Sequence, residues 1–325
     1  MTIHRRPARH LAAGVALWTV LASGSTVAGA ADCPPAQRVA DGVFLLRGAD
    51  AEPSPANGGK VANRVFLEGA DGVVVIDPGP SPAAGRELAC TVARHSSRPI
   101  RAIVNTHPHP ENVLANAAFS ALPIHASAAA AHAMRGRCID CRRQLLERIG
   151  TPASTVDDAT SLAALIPGQL VDAPQTLTLA GRRLTLIPLG EAHSPGDLAI
   201  LDHASGVLIG GDLVNVEALP DLHDGNTAVA LAALGALRRM REIRQVIPGR
   251  GAPYDPAAMA VPADYLRALW DYALARVESP DGFVPPADVP PELLGFSADR
   301  HRQLLNLQHA LREAEALWWQ KEEKR

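Results

Sequence analysis

Between residues 42 and 247, short apolar runs alternate with clusters of glycine, proline and polar residues, the rhythm of strands and tight turns. Residues 42–47 read as a strand and 48–63, rich in Gly, Ala, Pro and Asn, as an irregular loop. Residues 64–68 and 73–76 form a hairpin through Gly69-Ala70-Asp71-Gly72, and Pro78 stops its second strand. Residues 81–94 predict a helix with Ser81 as N-cap and Leu88, Val92 and Ala93 on one face. Residues 100–104 are a buried strand, 123–125 a short one, and 128–150 a helix interrupted near Gly136. Residues 151–175 carry no assignable pattern. Two more hairpins follow, 176–179 with 183–189 and 197–201 with 207–209, then a helix over 226–243 and a strand at 245–248. Hairpins with a helix after each half predict two stacked sheets flanked by helices, not a doubly wound parallel sheet. Beyond Pro253 the pattern turns helical, with Leu266, Leu269, Trp270, Ala273, Leu274 and Val277 on one stripe. A proline-rich linker over 279–291 leads to a last helix over 298–320.

Polar residues of catalytic type collect where strands end. After 100–104 comes Asn105-Thr106-His107-Pro108-His109-Pro110-Glu111-Asn112. Two histidines spaced i, i+2 in extended backbone point the same way, so both imidazoles can grip one metal ion. After 184–189 comes Gly190-Glu191-Ala192-His193-Ser194-Pro195-Gly196-Asp197, after 207–209 Gly210-Gly211-Asp212, and after 246–247 Pro248-Gly249-Arg250-Gly251. Four strand ends carrying His, His, Asp and Arg beside glycine imply one shared edge where a site assembles.

With these segments in this order, the chain resembles the metallo-β-lactamase superfamily over residues 40–255, whose signature is Thr-His-x-His-x-Asp-His, a lone His, an Asp after a strand and a final Pro-Gly-His-Gly. The resemblance implies an α/β fold, the αββα sandwich, and here a C-terminal helical extension. It implies that His107, His109 and His193 match the three ligands of the first metal site, and Asp77 the buried aspartate that supports them. Three imidazoles and an open position are what a zinc hydrolase needs to bring the pKa of bound water to about 7. Within the superfamily the chain looks most like the exported zinc metallohydrolases of the quinoprotein relay system, associated with quinone-dependent alcohol oxidation. That likeness rests on Cys33-Pro34-Pro35, Gly85-Arg86-Glu87-Leu88-Ala89-Cys90, Pro220-Asp221-Leu222-His223-Asp224-Gly225 and the ending from His301 to Trp319.

The departures fall on the second metal site. Its four positions read Glu111, Asn112, Asp212 and Arg250. Asp212 suits a metal; Glu111 is one methylene too long, Asn112 is a poor ligand, and the guanidinium of Arg250 stays protonated. Ala115 also stands where a glycine is usual. The expectation is one zinc at most, with Arg250 beside the vacated position, paired with Asp212 and Glu111, since two carboxylates facing each other need a cation. Glu111 is then the candidate base, and Asn112 or Arg250 the oxyanion donor. His223 lies in a loop expected to overhang the pocket as a substrate contact; His125 and His132 read as bystanders.

Composition adds an address. Among 325 residues, 47% are hydrophobic and 20% charged, ordinary globular proportions. Residues 1–30 have a basic start (Arg5, Arg6, Arg9), an uncharged apolar run over 11–22 and Ala28-Gly29-Ala30, the features of a signal peptide cut near Ala30. The run is shorter than the roughly 20 apolar residues of a membrane span. Losing those three arginines moves the formal charge from −3 to −6, which argues against nucleic acid as the main partner. Cys33, Cys90, Cys138 and Cys141 allow three pairings. Cys138-Ile139-Asp140-Cys141 has the form of a zinc half-site, a redox pair or a structural bridge; without a second nearby pair the bridge is favoured, with Cys33–Cys90 as the other disulfide.

The reading that results has a signal peptide over 1–30, a metallo-β-lactamase-like domain over 31–257 and a helical extension over 258–325. Its function is an exported, periplasmic or secreted zinc hydrolase acting on a small ester, thioester or amide, with a periplasmic quinoprotein dehydrogenase system as partner. The alternative is a non-catalytic member that binds a ligand or partner.

Overall fold

The computed structural model describes residues 33–150, 163–279 and 286–324, without the side chains of Cys138 and Ile139. The expected signal peptide lies outside the described residues. So does most of the first half of the unassigned 151–175 stretch.

Two sheets stack face to face. The first has seven strands in sequence order, β1 (Gln37–Ala40), β2 (Val43–Leu46), β3 (Arg64–Glu68), β4 (Val73–Ile76), β5 (Ile100–Val104), β6 (Ile124–Ser127) and β7 (Gln169–Val171). Strands β1 to β4 pair antiparallel; β4 to β7 pair parallel through crossovers. The crossovers carry α1 (Pro82–His95), α2 (Pro110–Val113) and α3 (Ala128–Arg148). The second sheet takes β8 (Gln175–Leu179), β9 (Arg182–Gly190), β10 (Asp197–Asp202), β11 (Val207–Ile209) and β12 (Gln245–Ile247), in the order β12-β11-β10-β9-β8. Only β11 and β12 pair parallel there, joined through α4 (Thr227–Leu237). Helices α5 (Ala260–Val277) and α6 (Arg300–Glu322) follow.

Strand alternation decides which residues meet. Val74 and Ile76 of β4 face Leu198 and Ile200 of β10 in the layer between the sheets. Val73 and Val75 turn the other way, onto Leu88 and Val92 of α1. Ala199 and Leu201 of β10 point outward onto Leu234 of α4 and Leu266 and Leu269 of α5, and Leu307 of α6 joins the same cluster. Central strands buried on both faces therefore read as continuous apolar runs, because each face has its own helical layer. The result is the expected αββα sandwich with added C-terminal helices.

The structure corrects several elements. Helix α3 runs unbroken past Gly136, since one glycine costs only about 1 kcal/mol in a long helix. Helix α4 is shorter than expected, starting from Asn226, whose side chain caps Val229 N–H, and ending at Leu237. Strands β1 and β7, short and largely exposed, had no clear apolar signal. The Cys33–Cys90 disulfide is present. Cys141 is a free thiol, so the bridge expected for Cys138-Cys141 is not made. Inside a helix, side chains three apart have Cβ atoms about 5–6 Å apart, too far for the roughly 3.5–4.5 Å that a disulfide spans. Among the described residues no helix is long and apolar enough to cross a membrane.

Candidate metal centre

The ends of β4, β5, β9, β11 and β12 deliver Asp77, the 105–112 segment, His193, Asp212 and Arg250 to one edge of the sandwich. Two contacts hold the sheets in register there: Leu198 N–H donates to Thr106 carbonyl at 2.7 Å and Asn63 N–H to Gly249 carbonyl at 2.7 Å. Asp77 has φ 53°, the left-handed region that non-glycine residues rarely adopt. In that position its carboxylate accepts from Thr106 N–H at 2.8 Å, Thr106 Oγ1 at 2.6 Å and Asn112 Nδ2 at 3.1 Å. Burial nevertheless pushes its pKa up to about 7 against those hydrogen bonds.

His107, His109 and His193 converge, with one ring nitrogen from each lying within 4.8 Å of the others. Their rings stand nearly perpendicular, at 80°, 83° and 81° between planes. For His107 and His193 the other ring nitrogen is hydrogen-bonded, which fixes where the lone pair points. Thr106 Oγ1, already donating to Asp77, accepts from His107 Nδ1 at 2.8 Å. Asp221 carbonyl accepts from His193 Nδ1 at 2.7 Å. Asp224 Oδ2 lies 3.6 Å from His109 Nε2, an ionic contact longer than a hydrogen bond. That leaves His107 Nε2, His109 Nδ1 and His193 Nε2 facing one another.

These atoms suit a cation. His107 Nε2 is buried with no hydrogen-bond partner. His193 Nε2 and His109 Nδ1 are 3.3 Å apart, about the edge of a tetrahedron of nitrogens at 2.0–2.1 Å from a central ion. Burial, reinforced by the neighbouring imidazoles and Arg250 and only partly opposed by Asp212, drives the His107 pKa well down, so it is neutral and able to coordinate. Burial also lowers His109, but Asp224, Glu111 and Asp212 outweigh it and leave its pKa raised, the sign of a site that attracts positive charge. The loop carrying His193 is itself tied down: Asp197 Oδ2 accepts from Ala192, His193 and Ser194 N–H groups at 3.1, 2.5 and 3.0 Å.

Beside the histidines, Arg250 Nη2 donates to Glu111 Oε1 at 2.7 Å and its Nε lies 3.4 Å from Asp212 Oδ2. Asp212 Oδ2 is also 3.9 Å from His193 Nε2. Burial alone would raise the Asp212 pKa, yet His107, His193 and Arg250 hold it below the usual carboxylate range. Gly249 lets this happen: a Cβ there would sit 1.8 Å from Asp212 Oδ1. Asn112 does not face the cavity; it is fully buried and spends its amide on Asp77.

A cavity of about 490 Å³ opens over the site, lined among others by Glu111, Asp212, Arg250, His223, Asp224 and the free Cys141. His223 stacks on His109 with centroids 6.1 Å apart and planes 18° apart. Asp221 raises its pKa by a hydrogen bond, against partial burial. A depression of about 580 Å³ at the other end of the sandwich, beside Arg182 and Arg183, contains none of these residues. The sequence reading missed Asp224, the Asp221 carbonyl and Asp197. The His-Asp pair in 220–225 and the Asp closing the 190–197 segment were the available signals.

A three-histidine cluster at the strand ends of an αββα sandwich defines a metallohydrolase-type fold. The family model for the metallo-β-lactamase superfamily matches residues 57–249, and the chain belongs to that superfamily. A search of curated protein sequences gives no match. Among solved structures, the chain is similar to a β-lactamase domain protein from Burkholderia ambifaria, with 22% identity, TM-score 0.58 and coverage of 90% of this chain and 91% of that one. It is also similar to a metallo-β-lactamase family protein from Thermus thermophilus, with 18% identity, TM-score 0.59 and coverage of 87% and 95%. A metallo-β-lactamase from Pontibacter korlensis aligns with 17% identity, TM-score 0.54 and coverage of 71% and 98%. At these identities the likeness shows the fold.

Proposed function

We propose that the protein is an exported metallohydrolase that works with a single zinc ion on a small ester, thioester or amide. The observation that carries this is Arg250 bound to Glu111 and Asp212 beside the three histidines, a +1 charge where a second ion would bring +2. Zinc held by His107, His109 and His193 would supply Lewis acidity and lower the pKa of water to about 7. Asp212 turns its carboxylate to Arg250 and borders the metal site without being needed as a ligand. Glu111, 13% exposed and facing the cavity, is placed to accept the proton of an attacking water. Arg250 holds Glu111 in position and offers its remaining N–H groups to the oxyanion that develops on the substrate carbonyl. Asn112, committed to Asp77, leaves the oxyanion role to Arg250.

Export is supported by the signal-like residues 1–30 and by the Cys33–Cys90 disulfide, a bond of oxidising compartments. The link to periplasmic quinoprotein oxidation rests on the sequence resemblance alone. A second reading has one observation in its favour: the 2.7 Å pair with Arg250 occupies the candidate base, as expected of a ligand- or partner-binding descendant. Metal content and turnover of ester, thioester and lactam probes by purified protein decide between them. One zinc with turnover that Glu111→Gln abolishes supports the hydrolase; one zinc with no turnover on any probe refutes it.

A further inference from the structure

The last helix reaches the metal centre through a stripe of polar side chains that packing alone does not require. Arg302, Asn306, His309 and Glu313 are spaced i, i+4, i+7 and i+11, so they lie on one face of α6. All four contact the segment 220–227. Arg302 pairs with the Asp221 carboxylate. Asn306, 1% exposed, donates to Pro220 carbonyl at 2.8 Å and accepts from Leu222 N–H at 3.3 Å, holding the backbone on both sides of Asp221. Tyr265 Oη, 3.0 Å from Asn306 Nδ2, steadies that amide. His309 Nε2 lies 3.0 Å from Gly225 carbonyl, and Glu313 accepts from Thr227 N–H at 2.9 and 3.2 Å. The segment so held contains the Asp221 carbonyl, hydrogen-bonded to His193 Nδ1, and the Asp224 carboxylate, 3.6 Å from His109 Nε2.

We infer that α6 is part of the metal centre, with Asn306 and Arg302 as positioning residues that set metal affinity by fixing the Asp221 carbonyl against His193. A loop that drifted by an ångström would free His193 to rotate or change tautomer, and its lone pair would no longer point at His107 and His109. Asn306 serves better than an apolar residue here, because a buried Pro220 carbonyl and Leu222 N–H would otherwise lack partners. The inference rests on the three-histidine metal reading.

The test is zinc affinity of the full chain by competition with a chromophoric chelator, together with melting of the metal-free forms. Asn306→Ala and Arg302→Ala are each expected to weaken zinc binding 10–100-fold, the usual effect of removing a group behind a ligand. In the metal-free Asn306→Ala protein the Leu222 amide is expected to exchange its hydrogen faster. Variants that melt lower but bind zinc within twofold of the native chain overturn the inference, since a merely structural helix would behave that way. Arg302→Ala, at a side chain 30% exposed, keeps the test open if Asn306→Ala fails to fold. A native chain that binds no zinc, or binds it equally well after His193→Ala, instead overturns the metal reading itself.

Discussion

Replacing Arg250 by alanine tests the charge logic of the site most directly. The substitution removes the 2.7 Å partner of Glu111 and the 3.4 Å neighbour of Asp212, and leaves two carboxylates, 13% and 7% exposed, without that cation between them. Breaking a fully buried pair costs about 3–5 kcal/mol. Arg250 is 31% exposed, so solvent screening brings the expected loss to about 2 kcal/mol. For a chain of this size that is a fall in Tm of about 3 °C. The sign with pH follows from linkage. Against burial, His107, His193 and Arg250 hold the Asp212 pKa below its unfolded value of about 3.9, and removing Arg250 lets it rise. A carboxylate with a lowered folded pKa contributes stability above its unfolded pKa and loses it as pH falls through the folded value, so the share that Arg250 provides is present at high pH. The deficit against the native protein is therefore small at pH 4 and full at pH 8. Calorimetric melts of the metal-free proteins at both pH values measure it, with Arg250→Met as a control of similar length that also lacks the charge. Equal Tm values for Arg250→Ala and native protein at pH 8 would falsify the claim that Arg250 neutralises the pair.

Metal analysis is expected to find one zinc per chain, abolished by His107→Ala, and two in an Arg250→His variant that also carries Glu111→Asp and Asn112→His; a single ion in that triple variant would show the second site lost by more than its ligands. Chelator treatment should lower the Tm of the native protein, by about 2.7 kcal/mol of stability when zinc had been present at one hundred times its Kd. Gly249→Ala places a methyl 1.8 Å from Asp212 Oδ1 and is expected to destabilise by at least the roughly 1–3 kcal/mol of an overpacked site, and to weaken zinc binding as Asp212 moves; unchanged melting and affinity would refute the close approach. Away from the site, Asp202 and Arg182, 0% and 7% exposed, form a pair at 2.7 Å in which Arg182 and Ser205 overcome burial and lower the Asp202 pKa. That stability is present above the unfolded pKa of about 3.9 and is lost as pH falls through the lower folded value. Asp202→Asn should thus cost about 3–5 kcal/mol in urea unfolding at pH 7 and progressively less below pH 4.

Much of the sandwich was legible because its strands are apolar on both faces and its turns carry glycine. The runs at 64–68, 73–76 and 100–104 coincide with strands, and Ser81 caps α1 as its position suggested. The elements misjudged were those where tertiary contact overrules local preference. Helix α3 tolerates Gly136 because Ala130, Ala131, Met134 and Leu145 on the same helix are buried. Strand β7 has one buried residue in three and exists because its backbone pairs with β6. Asn112 was read as a donor to substrate, yet its neighbour in the fold is Asp77, 35 positions earlier.

What the sequence by itself determined was the chemistry on offer. Two histidines two apart in extended backbone must share a side, and an arginine in a ligand position cannot bind a metal; both follow from local geometry and protonation. The tertiary structure decided which groups act on one another. Glu111 and Arg250 stand 139 positions apart, and Asn306 lies 86 positions from the Pro220 carbonyl that it holds. Those meetings depend on the register of two sheets and the seating of the last helix. Burial of apolar surface dispersed along the whole chain sets both, and no single stretch of sequence contains that information.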